Sequence, residues 1–80
     1  MSARMETMTK RHSSLTVFGL NIRRLREERA LTQEALAEKA SLDPTYISGI
    51  ERGVRNPSIL SLVRVAKALG VTAADLMDGV

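Results

Sequence analysis

Residues 31–53, LTQEALAEKASLDPTYISGIERG, contain the most informative pattern of the chain. They predict two short helices joined by a tight turn. Thr32 is a cap for the first helix, and Asp43 caps the second, with Pro44 at a first helical position that needs no N–H. Gly53 is a stop signal. Because helices this short are not stable in isolation, the flanking sequence has to supply a scaffold.

The flanking sequence predicts three more helices, each with apolar residues at helical spacing. The first runs from about Leu15 to Arg29, and its buried stripe is Leu15, Phe18, Ile22 and Leu25. Another begins after a Ser58 cap and ends at Gly70. Its buried stripe is Ile59, Leu62, Ala66 and Leu69, with Val65 beside it. The last is short, and Thr72 caps it with Asp75 as a capping-box partner. Since no strand alternation is visible, we predict an all-α chain of five helices.

The composition limits the function. The chain has 80 residues, a formal net charge of +3 and no cysteine, which allows one domain with a small core and excludes thiol chemistry and zinc-finger spacing. No apolar run is long enough for a membrane span. The single histidine, His12, has no ligand partner nearby, and no serine has a histidine or lysine at nucleophile-activating spacing. We therefore expect no enzyme, no metal site, no cofactor and a cytoplasmic location.

Charge is distributed unevenly along the chain. Residues 1–14 are polar, lack a helical apolar period and are expected to form a flexible basic tail before a single domain at residues 15–80. The remaining charges form a basic pole and an acidic pole. The basic pole is Arg23, Arg24, Arg26, Arg29, Arg52 and Arg55, and the acidic pole is Asp75 and Asp78. Any nucleic-acid surface has to come from this arrangement rather than from the total charge.

The pattern TQEALAEKA…YISGIERG…NPS…AKALGV, within residues 15–77, resembles the phage Cro and repressor family, also called the xenobiotic-response-element family. Capping, spacing and apolar pattern agree with that family over five helices. Within it, TYISGIERGVRNPS is most similar to the small controller proteins of restriction–modification systems. The resemblance implies a lambda-repressor-like DNA-binding domain. Ser41 is a departure, because the family usually has glycine there in a left-handed conformation.

The resemblance implies that the third helix lies in the DNA major groove with its first turn at the base edges. The positions that would face bases are Pro44, Thr45 and Ser48. Thr45 and Ser48 can donate and accept hydrogen bonds, whereas Pro44 offers only apolar contact where the family often has a long polar side chain. The positions that would contact the DNA backbone are Gln33, Tyr46, Arg52, Arg55 and Asn56. The alternative is that these polar side chains are simply solvated.

Two further groups of residues are interpreted structurally. Related repressors pair a matching arginine and glutamate across the first and third helices, so Arg26 and Glu51 are expected to form an ion pair. Some apolar residues lie off the core stripes and are candidates for a dimer interface. They are Leu60, Val63, Met77 and Val80. The alternative is that these side chains only cover the fifth helix.

Together these expectations describe a homodimer that binds double-stranded DNA at a palindromic operator and regulates transcription. RNA polymerase is a further expected partner, whereas a membrane and a small-molecule ligand are not expected. A restriction–modification controller is preferred over a prophage repressor or an antitoxin of the same fold. A different class, a protein–protein adaptor that uses the fold without DNA, would lack the steep salt dependence of phosphate contacts.

Overall fold

The computed structural model describes the backbone of residues 2–80 and the side chains of residues 14–80. Over that range the chain forms helices and turns without a strand, as predicted. The helices are α1 (Ser2–Glu28), α2 (Gln33–Ala40), α3 (Pro44–Glu51), α4 (Ile59–Leu69) and α5 (Ala73–Leu76). α2 packs against α3 and α4, while α1 packs against α3 and α5. None of the described helices has the length and apolar content to cross a membrane.

The start of α1 differs from the prediction. The helix begins at Ser2 rather than near Leu15, because no proline or glycine interrupts residues 2–18 and a helix does not need an apolar period to continue. The side chains of residues 1–13 lie outside the described part of the structure, and with them the interpretation of His12. The division of the chain into a tail and a domain stays a prediction.

The predicted caps are present at the starts of four helices. The Thr32 hydroxyl accepts a hydrogen bond from the Ala35 backbone N–H at 3.0 Å, and the Asp43 carboxylate accepts one from Thr45 at 2.7 Å. Ser58 and Thr72 cap α4 and α5 in the same way. These side chains satisfy N–H groups that have no partner inside their helix, so each helix has a defined first residue.

The capping box of α5 also affects an ionisable group. The Asp75 carboxylate accepts from the Thr72 backbone N–H at 2.9 Å, while Thr72 Oγ1 accepts from the Asp75 backbone N–H at 3.1 Å. The hydrogen bond from the Thr72 backbone lowers the pKa of Asp75 from its ordinary value. The carboxylate therefore stays ionised, and its bond to α5 stays formed, throughout the neutral range.

Four helices are followed, within two residues, by a residue in the left-handed region. Gly53 and Gly70 adopt it with φ of 75° and 71°, but Ala30 and Ser41 adopt it with φ of 54° and 56°. The conformation turns the chain sharply and lets following N–H groups bond to the last free carbonyls of the helix. The tight turn between α2 and α3 therefore forms as predicted, with a serine in a position that favours glycine.

The core lies where α1–α5 meet. Its residues are Phe18, Ile22, Leu25, Leu36, Ala37, Ala40, Ile47, Ile50, Val65, Ala66, Leu69 and Leu76. In the predicted stripes Leu15 and Leu62 are only partly buried, and the prediction is wrong at Ile59, which is 82% exposed. Ser61, at 8% exposure, takes an inward position on α4 instead. With about 100° per residue, Ile59 lies roughly a quarter turn from the centre of the buried face.

Candidate nucleic-acid interface

One side of α3 is buried and the other is open. Ile47 and Ile50 are 0% and 1% exposed and anchor the helix in the core. Pro44 and Thr45 are exposed at its first turn, and Ser48 is partly exposed one turn later. The three predicted base-contact residues therefore share the accessible side of one helix, on a support that the core holds in place.

Tyr46 is held on both its ends. Its hydroxyl accepts a hydrogen bond from the Ser58 backbone N–H at 3.3 Å, which links α3 to the start of α4. The Arg55 guanidinium carbon lies 5.9 Å from the centre of the Tyr46 ring, within the range of a cation–π contact. The side chain is partly buried and has two contacts within the protein that the sequence did not indicate. Its contact with the DNA backbone stays a prediction.

The segment after α3 carries exposed cations. The Gly53 and Val54 N–H groups donate to the carbonyls of Ile50 and Gly49, both at 3.0 Å, which is the Schellman arrangement. Arg52 and Arg55 are exposed, and within residues 14–80 neither forms an ion pair with a carboxylate. Their charges are accordingly available to an external anion.

Asn56 follows Arg55 and borders an apolar part of the surface. It is exposed and lines an apolar groove of about 270 Å³. The groove is formed by Ser14, Leu15, Phe18, Asn56, Pro57, Leu62, Met77 and Val80. Asn56 therefore stands between the end of the recognition segment and the apolar C-terminal surface. Its contact with DNA stays a prediction.

A buried ion pair joins α1 to α3. Arg26 donates to Glu51 through Nε at 2.6 Å and through Nη2 at 3.0 Å, so the predicted pair is present and bidentate. Both side chains are shielded, with 11% and 3% exposure. The hydrogen bond to Glu51 raises the pKa of Arg26 above its ordinary value. The guanidinium therefore stays charged, and its two bonds to Glu51 fix α1 against the end of α3.

Gln33 joins this pair. Its Nε2 donates to Glu51 Oε1 at 3.0 Å, which sets the first residue of α2 beside the last residue of α3. The sequence indicated a phosphate contact for Gln33 but not this internal bond. An amide nitrogen has two N–H groups, so the bond to Glu51 leaves the second one for another acceptor.

The arginines of α1 do not form the basic pole that the sequence indicated. Arg23 lies 3.5 Å from Glu27, Arg24 lies 3.3 Å from Glu28, and Arg29 lies 3.7 Å from Glu28. The first two pairs have i,i+4 spacing on α1, and the third joins neighbouring residues, so these charges are compensated locally. Within residues 14–80, Arg52 and Arg55 are the two cations of the segment that follows α3, and neither is paired with a carboxylate.

The predicted dimer residues are accessible. Leu60, Met77 and Val80 are 59%, 44% and 45% exposed, and Val63 is partly buried. The C-terminal end of this surface is anchored to α1, because Asn21 Nδ2 donates to the carbonyls of Leu76 and Asp78 at 3.0 and 2.7 Å. Met77 and Val80 thus line the groove beside α1, whereas Leu60 is exposed on α4.

This geometry is that of a known class. The helix-turn-helix family model matches residues 22–76, and the chain belongs to that family. The control protein C.BamHI of Bacillus amyloliquefaciens is 44% identical over 63 residues, which are 78% of each chain. The predicted fold and family are confirmed.

Two solved structures carry the same likeness. The restriction–modification controller protein C.AhdI of Aeromonas hydrophila has a TM-score of 0.79 and 39% identity, over 80% of this chain and 97% of its own. SinR, a master regulator for biofilm formation solved in complex with DNA, has a TM-score of 0.73 and 39% identity, over 76% and 98%. The protein is therefore a helix-turn-helix transcriptional regulator that binds DNA.

Proposed function

We propose that the protein binds a palindromic operator as a homodimer and controls the genes of a restriction–modification system. The observation that carries the DNA interface is the open first turn of α3 beside Arg52 and Arg55, whose charges have no carboxylate partner within residues 14–80. The controller role is supported by the similarity to C.BamHI and C.AhdI.

In this proposal α3 enters the major groove. Thr45 and Ser48 hydrogen-bond to base edges, while Pro44 makes apolar contact, for which the methyl group of a thymine is a suitable partner. Phosphates are contacted by Gln33, Tyr46, Arg52, Arg55 and Asn56. For Gln33 the second N–H supplies the bond, because the first is used by Glu51.

The dimer uses the apolar surface of Leu60, Val63, Met77 and Val80. A monomer of this size has little reason to expose these side chains together, and the adjoining groove of about 270 Å³ can receive side chains of a second copy. A two-fold axis through this surface gives two α3 helices whose half-sites lie about one helical turn apart.

The remaining partners follow from that role. A regulator that activates a promoter contacts RNA polymerase, and one that works in a bacterial cell acts in the cytoplasm. We expect no catalysis, no cofactor and no small-molecule ligand, with regulation set by protein concentration and dimerisation.

Selection of bound duplexes from a random DNA pool tests this function. We expect enrichment of a palindrome with half-sites about 10 base pairs apart, and an affinity for it that falls steeply between low and physiological salt. A pool that stays random after repeated rounds would overturn sequence-specific binding. Enrichment of a single half-site without symmetry would overturn the dimer on DNA.

A further inference from the structure

Gly49 lies in the last turn of α3, buried against the side chain of Arg55. A Cβ at Gly49 would lie 2.5 Å from Arg55 Cγ and 3.5 Å from its Cβ and Nε. The aliphatic part of Arg55 therefore occupies the space that a side chain at position 49 would fill. A glycine inside a helix costs stability relative to alanine, so its presence here calls for a close approach of this kind.

The backbone makes the same connection. The Gly49 carbonyl accepts from the Val54 N–H at 3.0 Å and from the Arg55 N–H at 3.2 Å. A Schellman turn usually packs an apolar C″ side chain against the third residue from the helix end. Here that C″ residue is Val54, which is 64% exposed, and the stem of Arg55 covers Gly49 instead.

The far end of Arg55 is also placed. Its guanidinium lies over the Tyr46 ring at 5.9 Å, and the Tyr46 hydroxyl accepts from the Ser58 N–H at 3.3 Å. The arginine is thus supported along its length by residues of α3, and its ring partner is fixed from the start of α4. The charged tip nevertheless remains exposed.

We propose that Gly49 is a positioning residue for DNA binding, which leaves the space that orders Arg55 beside the recognition helix before DNA arrives. A free arginine loses much of its rotamer freedom when it binds a phosphate, and a preordered one has already lost it. The proposal rests on the DNA-binding function above and on contact between Arg55 and DNA.

The test is the variant Gly49→Ala, measured on the selected operator. Gly49 does not have a positive φ, so alanine is compatible with its backbone conformation. The added Cβ would, however, displace the Arg55 stem. We expect affinity to fall about 3- to 10-fold, the factor for ordering one long side chain on binding. Wild-type binding is measured first, so that failure of the DNA-binding function is seen separately.

A double-mutant cycle separates positioning from other effects. In the Arg55→Ala background, Gly49→Ala should leave affinity unchanged, and it should raise the melting temperature because the obstruction is gone and alanine favours the helix. In the Arg52→Ala background, which is the matched control, Gly49→Ala should cost the same factor as in wild type. Equal losses in all three backgrounds would overturn the proposal, as would an Arg55→Ala variant that binds like wild type.

The order of the side chain can also be measured without DNA. The ¹⁵N relaxation of Arg55 Nε in the free protein should report a more mobile guanidinium in Gly49→Ala than in wild type, with Arg26 Nε unchanged as an internal reference. Equal mobility of Arg55 in the two proteins would overturn the preordering, whatever the affinities.

Discussion

At the scale of single residues, the turns of this protein depend on backbone conformations that its residues do not all favour. Ala30 and Ser41 have φ of 54° and 56°, where a Cβ approaches the following carbonyl oxygen and costs about 1–2 kcal/mol. Gly70 adopts the same region at 71° without that cost. The strain at Ser41 matters most, because this residue sets the turn between α2 and α3.

Ser41→Gly should therefore stabilise the protein by about 0.5–1 kcal/mol, the relief of strain less the extra flexibility of glycine in the unfolded chain. In a domain of this size that raises the melting temperature by about 2–8 °C, measurable by circular dichroism. Gly70→Ala is the matched control and should lower stability, because alanine is strained at a φ of 71°. An added Cβ there meets nothing within 4 Å, so the change reports the backbone strain alone. An unchanged or lowered midpoint for Ser41→Gly would show that the serine side chain stabilises the turn.

Thr45 is the residue on which sequence recognition is best tested. Its side chain is exposed and its backbone N–H is already bonded to Asp43, so Thr45→Ala removes a hydroxyl and a methyl without disturbing the cap. Binding to the selected operator should weaken by about 1–3 kcal/mol, while binding to random duplex stays nearly the same. Titration of both duplexes at one salt concentration measures this. Equal losses on the two would assign Thr45 to the DNA backbone.

At the scale of the elements, the relative positions of α1, α2 and α3 depend on one buried carboxylate. Glu51 accepts from Arg26 twice and from Gln33 once, and Arg26 also donates to the Leu31 carbonyl at 2.7 Å. These bonds set the orientation of α3 relative to the N-terminus of α2. Both are DNA-facing elements in the proposed complex, so the network has a functional consequence.

Arg26→Met should destabilise the fold by about 3–5 kcal/mol, because it leaves the Glu51 charge buried with Gln33 as its remaining partner. Chemical denaturation measures the change. Arg23→Met is the matched control, since the Arg23–Glu27 pair has 58% and 56% exposed side chains and should contribute no more than about 1 kcal/mol. Similar losses for the two variants would mean that burial does not distinguish these pairs.

At the scale of the whole molecule, the proposed dimer surface is formed by residues of α4 and by the segment that follows α5. α4 presents Leu60 at 59% exposure, and α5 continues into Met77 and Val80, which line the groove against Leu15 and Phe18. A dimer on this surface would also double the number of bases read, which a single recognition helix needs for useful selectivity.

Leu60→Glu should shift the protein to monomer, because it places two like charges near the two-fold axis and removes them from water. The variant should keep its helical circular dichroism but bind the palindrome poorly. Leu20→Glu is the control, since Leu20 is 54% exposed on α1 and outside the proposed surface. Sedimentation of the wild type decides first, because a monomer at concentrations that saturate the operator would contradict a preformed dimer.

Much of the fold and part of the site could be predicted from local sequence. Thr32, Asp43, Ser58 and Thr72 cap the helices that the sequence assigned to them, because a cap bonds an N–H two or three residues away. Pro44, Thr45 and Ser48 fall on the open side of α3 because Ile47 and Ile50 occupy its other side. The helix-turn-helix class is likewise contained in residues 31–53.

The tertiary structure decided what depends on residues far apart in the chain. Ile59 has the right spacing for the core, yet the packing of α4 on α2 buries Ser61 instead. In the sequence Gln33 is a polar residue at the start of a helix, but in the fold its amide donates to Glu51, 18 residues further along the chain. Gly49 is one small residue in a pattern until the chain returns at Arg55. Helix caps and i,i+4 ion pairs follow from neighbouring residues alone, whereas burial and the contacts made across a turn or between helices are set only when the chain has folded back on itself.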